Sequence, residues 1–102
     1  MDPTRGKRSL IGYAIMTTAR NRTKAQRALT DLKDAIFAEI DSSERGLTNA
    51  DLVKRLGLES EYEGKNRNYL SWSTLGILLS ERRVRYRGTG QGKRYITRDD
   101  QA

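Results

Sequence analysis

A chain of 102 residues has room for one domain, whose core buries only about two-thirds of the surface that the unfolded chain exposes. It contains neither cysteine nor histidine, which excludes disulfides, thiol nucleophiles, Cys/His zinc sites and imidazole acid–base chemistry. Its 20 Lys and Arg against 13 Asp and Glu give a net charge of +7, unevenly spread: residues 1–24 carry net +5, residues 25–64 net −4 and residues 65–102 net +6.

Residues 1–22 read as a basic N-terminal arm or an extra element. Arg5, Lys7 and Arg8 before the apolar run of residues 10–16 give a faint outline of a secretory leader. The run is short, includes Gly12 and falls far below the length of a membrane span, so a cytoplasmic protein without membrane association is expected. Thr23 and Gln26 fit a capping box, which starts the first helix at Thr23. Its apolar stripe is Ala25, Ala28, Leu29, Leu32, Ile36, Phe37 and Ile40, and it ends in the polar SSERG run of residues 42–46.

Gly46 and Leu47 form a short extended piece, after which Thr48 to Asp51 supply a second N-cap, with the Asp51 carboxylate favoured by the helix dipole. Ala50, Leu52, Val53 and Leu56 carry the apolar side of this short second helix, and Gly57 suits its C-terminal stop. The connection over residues 58–68 is polar and longer than a tight helix-turn-helix turn, with room for a further helical turn.

The third helix is expected from Asn68 or Tyr69 to Arg82. Trp72, Leu75 and Leu79 make one stripe, with Trp72 assigned to the core, and Leu70, Ile77 and Leu78 fall outside it. The apolar surplus asks for a cover: either residues 10–16 or a second copy in a homodimer. Val84 and Tyr86 then alternate with Arg83, Arg85 and Arg87 as in a strand with a basic face, and the glycine-rich residues 88–92 turn the chain into a second strand over residues 93–97. Residues 98–102 read as a tail.

The order of elements over residues 23–97 resembles the winged helix-turn-helix family common in prokaryotic transcriptional regulators. More loosely it resembles the accessory winged-helix domains of restriction and DNA-modification proteins. Leu79, five residues before the strand opener Val84, matches the family pattern. The resemblance implies an α+β fold, a three-helix core with a C-terminal β-hairpin wing, and duplex DNA as partner. It further implies that the third helix enters the major groove by its N-terminal end, here Lys65, Asn66, Arg67, Asn68, Tyr69, Ser71, Ser73 and Thr74. These residue types suit base edges and phosphates.

The wing offers Arg83, Arg85, Arg87, Lys93 and Arg94, with glycines that let backbone approach phosphates. Segregated positive charge suits a polyanion. Residues 5–8 or 20–24 could add an arm along a groove. Residues 88–92, GTGQG, lack the spacing of a nucleotide-binding loop, and no cofactor or small-molecule ligand is indicated. Asp51 with Glu63 and Lys65 superficially matches a nuclease metal set, but that set needs adjacent strands, and these residues are read as a helix start and a loop. The chain is therefore read as a DNA-binding protein without a catalytic role, a small regulator or DNA-associated factor. The alternatives are a protein-interaction module of a DNA-processing or transcription complex and, third, an RNA binder.

Overall fold

The computed structural model describes residues 3–62, 65–66 and 68–97, with side chains described for 11–60 and 68–97. Among these, the architecture is α+β: three helices and a C-terminal two-stranded antiparallel hairpin in a winged-helix-like layout. Two compact units are distinguished, Met1–Asp31 and Leu32–Ala102.

Helix α1 spans Pro3–Asp41 without a break. The expected helix start at Thr23 is thereby corrected. Instead of capping, the Thr23 hydroxyl donates to the Ala19 carbonyl one turn back at 3.1 Å, a bond open to a threonine in a helix interior. The apolar run of residues 10–16 belongs to the same helix, and Ile11, Tyr13, Ile15 and Met16 are exposed.

In the second unit, α1 delivers Ile36 and Ile40 to a core completed by Leu47, Leu52, Leu75, Leu78, Val84 and Tyr95. The chain leaves α1 through a turn in which Gly46 adopts φ +78°, and the Ser43 hydroxyl donates to the Gly46 carbonyl at 3.1 Å. A Cβ at Gly46 would lie 2.6 Å from the Tyr95 carbonyl oxygen, so this close approach requires glycine. Leu47 then exchanges both backbone hydrogen bonds with Tyr95, at 3.0 and 2.7 Å, which makes it a one-residue strand beside the hairpin.

Helix α2 spans Asn49–Leu56 and carries both expected caps. Thr48 Oγ1 accepts from the Asp51 N–H at 3.1 Å while Asp51 Oδ2 accepts from the Thr48 N–H at 3.0 Å, and Gly57 closes the helix at φ 65°. Among the described residues after α2, no extra helical turn occurs. The residues after α2 pair as two short antiparallel strands, β1 (Glu61–Tyr62) and β2 (Lys65–Asn66).

Helix α3 spans Tyr69–Ser80 and stops short of Arg82. Arg82 takes a left-handed conformation at φ 59°, and the Arg83 N–H reaches back to the Leu78 carbonyl at 2.9 Å, so the end is closed by the bond pattern that glycine usually serves. Strands β3 (Arg85–Arg87) and β4 (Arg94–Ile96) form the wing, joined through a 3₁₀ turn over Gly90–Gly92. Among the described residues, no helix is long and apolar enough to cross a membrane.

Candidate nucleic-acid interface

The face that α3 turns inward is not the expected one. Ser71, Thr74, Leu75 and Leu78 are buried, whereas Trp72, assigned to the core from the sequence, is 55 % exposed. On the inward face the Ser71 hydroxyl donates to Asn49 Oδ1 at 2.6 Å, tying the first turn of α3 to the first residue of α2. One turn along, the Thr74 hydroxyl donates to the Leu70 carbonyl at 2.8 Å, so its polar atom is satisfied inside the core. Ser71 and Thr74 are therefore removed from the set expected to meet DNA.

What α3 presents outward is Tyr69, Leu70, Trp72, Ser73, Gly76 and Ser80, and no charged residue occurs between Tyr69 and Ser80. Of the remaining leader residues, Lys65 and Asn66 form β2 and Arg67 lies outside the described residues. Asn68 is the residue before α3, held left-handed at φ 56°, and its buried Oδ1 has no hydrogen-bond partner among the described residues.

Strand alternation puts Arg85, Arg87 and Arg94 on one side of the wing and Tyr86 and Tyr95, with Lys93 against their rings, on the other. Tyr86 pairs with Tyr95, their ring centroids 6.3 Å apart, and Lys93 places its ammonium 4.7 Å from the Tyr86 centroid and 5.8 Å from that of Tyr95. On the alternate positions, Arg87 stands directly opposite Arg94, with Arg85 two residues away, and all three are exposed. Arg94 also donates to the Gly46 carbonyl at 3.2 Å and lies 4.0 Å from Asp51, which orients its guanidinium over the start of α2.

Arg83 differs from the other wing cations in its partners. Its guanidinium sits 4.9 Å from the Phe37 ring centroid and pairs with Asp34 at 3.2 Å and with Glu81 at 3.9 Å, so it fastens the strand entry to α1. Lys33 pairs with Glu81 at 2.6 Å in the same cluster.

Between α3 and the wing lies an open cleft of ≈ 590 Å³, lined among others by Asn49, Asn68, Tyr69, Trp72, Gln91 and Lys93. Asn49 and Gln91 fall outside the residues expected to contact DNA, and Trp72 is the residue expected in the core. Gln91 and Trp72 come to line one cleft only through the hairpin return, a long-range relation that no local spacing signals. Asp51, at the rim of α2, is held below its ordinary carboxyl pKa, chiefly by the hydrogen bond from the Thr48 backbone N–H. Partial burial opposes this shift, and the Thr48 hydroxyl bond and the charges of Arg94 and Arg55 support it. The nuclease-like pattern loses Asp51 to this cap, and Glu63 and Gly64 lie outside the described residues. Among the described residues, no cluster of three or more metal-ligating side chains occurs.

Comparison of the chain with protein-family models, with curated proteins and with solved structures finds no match. The winged-helix-like layout stands on the order of its elements and on the pairing of Leu47, β3 and β4.

Proposed function

We propose that this protein binds double-stranded DNA without catalysing a reaction on it, as a small transcriptional regulator or DNA-associated factor of the cytoplasm. The observation that carries this reading is the wing register, which collects Arg85, Arg87 and Arg94 on alternate positions of one short ribbon. Guanidinium groups are planar, permanently charged and matched to phosphate oxygens in pairs, so a ribbon bearing three of them is suited to a phosphate backbone. The exposed Arg20, Arg22, Lys24 and Arg27 of α1 add further positive surface. With α3 uncharged, phosphate contacts by the wing supply most of the affinity, and α3 supplies apolar contacts, to thymine methyl groups for instance.

A second reading is favoured by one observation. Tyr69, Leu70 and Trp72 form an exposed apolar patch on a helix without charge, which is the composition of a protein-docking surface.

Titration with random-sequence duplex at a series of salt concentrations separates the two. If about five phosphates are neutralised, log K falls against log salt with a slope of about −4 to −5, and replacing Arg85 and Arg87 by Ala lowers that slope by about one each. No measurable duplex binding at low salt, or an affinity indifferent to salt and to the double substitution, abandons the DNA reading in favour of the interaction module.

A further inference from the structure

The cleft between α3 and the wing lies wholly within the unit Leu32–Ala102, and its lining goes beyond what phosphate contacts by the wing require. Tyr69 and Trp72 stand three residues apart on α3 and so share one helix face; they line the cleft while 42 % and 55 % exposed. The wing supplies Gln91, from the 3₁₀ turn, and Lys93, whose ammonium rests 4.7 Å from the Tyr86 ring centroid and 5.8 Å from that of Tyr95. Asn49 borders the same space from α2. Its Oδ1 is taken by the Ser71 hydroxyl at 2.6 Å, which orients the amide, and no described residue accepts from its N–H groups.

Among the described residues lining the cleft there is one cation and no Asp or Glu, so the site favours an anion and disfavours a cation. Its volume of ≈ 590 Å³ falls within the range of about 300 to 1,000 Å³ in which small planar ligands are held. The rings suit a flat π-face, and the amides of Asn49, Asn68 and Gln91 are the groups that pair with base edges. An apolar protein side chain would meet the rings but strip water from the amides and the ammonium without replacing it, which is costly. A base within a duplex shows only its edges, because its faces are stacked on its neighbours, whereas an unpaired base offers face and edge together.

We infer that the cleft is a site for one unpaired nucleobase, stacked on Trp72 and Tyr69 with its phosphate at Lys93. The inference rests on the DNA reading for the source of that base, a strand whose neighbouring phosphates the wing holds. A free nucleotide carries the same chemistry, and the experiment separates the two.

The probes for the full-length protein are a short, fully paired duplex, the same duplex carrying one bulged adenine, and deoxyadenosine monophosphate. At equal salt the bulged duplex should bind at least about tenfold more tightly than the paired one, the scale of one base stacked on an aromatic side chain, and should quench the emission of Trp72, the sole tryptophan. Read by the anisotropy of labelled DNA, Trp72→Ala should abolish that preference and Trp72→Phe should keep most of it. Replacing Arg85 and Arg87 by Ala should weaken both duplexes together and leave their ratio in place. Equal binding of the two duplexes, or a preference that survives Trp72→Ala, overturns the site while the DNA reading stands. Quenching by the mononucleotide at an affinity equal to that of the bulged duplex, or higher, overturns the strand as the source and assigns the cleft to a free nucleotide. No binding of either duplex at low salt, with no quenching by the mononucleotide, overturns both readings.

Discussion

Ser71 on α3 donates a 2.6 Å hydrogen bond to Asn49 on α2, twenty-two residues earlier in the chain. That bond lies on the inward face of α3 and ties it to α2. With Ser71 inside, Thr74, Leu75 and Leu78 follow it into the core, and Trp72 turns to the cleft beside the wing. Replacing Ser71 by Ala leaves the half-buried Asn49 acceptor without its donor and should cost about 1 to 2 kcal/mol in urea denaturation. Ser73→Ala, on the exposed side, should stay within about 0.5 kcal/mol of wild type. Equal effects of the two substitutions would contradict the assigned rotation.

Trp72 is the sole tryptophan, so its environment can be read directly. Being 55 % exposed, it should emit in the native state close to the wavelength of a water-exposed indole and be open to acrylamide quenching. Unfolding should shift that emission little, and binding of duplex or of a protein partner at the cleft should shift it to the blue. A blue-shifted, quencher-protected native emission that moves strongly on denaturation would place the indole in the core.

Two left-handed glycines separate backbone strain from steric exclusion. Gly57 at φ +65° faces open space, so Gly57→Ala should cost about 1 kcal/mol from the backbone alone. Gly46 at φ +78° would also drive a Cβ against the Tyr95 carbonyl at 2.6 Å and the Ile96 side chain at 2.7 Å. Gly46→Ala should therefore destabilise by more than about 2 kcal/mol and weaken the Leu47–Tyr95 pairing, visible as faster amide exchange at both residues.

The capping box of α2 predicts an acid limb in the stability profile. The hydrogen bond from the Thr48 N–H holds the Asp51 carboxyl below its ordinary pKa of 3.8, and unfolding restores the ordinary value. The unfolded chain thus binds the proton more readily. The contribution is complete above 3.8 and is lost as pH falls through the lower native value. Urea midpoints measured from about pH 6 to about pH 2 should show this loss in the wild type, and Asp51→Asn should reduce it. An acid limb unchanged by Asp51→Asn would mean that other carboxylates carry it.

The features that local chemistry controls were legible in the chain. Thr48 and Asp51 close a reciprocal pair within one turn, Gly57 supplies a left-handed stop, and a basic alternating run with glycines makes a hairpin, each specified by residues within a few positions of one another. The order of these elements was enough for the α+β, winged-helix-like layout.

Three matters were decided only in the folded molecule. A capping box at Thr23 costs little to forgo when its hydroxyl can bond the Ala19 carbonyl, so the local signal did not stop α1. Arg83 reads as one more wing cation until tertiary packing brings Asp34 beside it. Above all, α3 is apolar nearly all round, so its hydrophobic pattern by itself selects no face; the burial of Leu75 and Leu78 together with the pairing of Ser71 with Asn49 defines the side that turns inward.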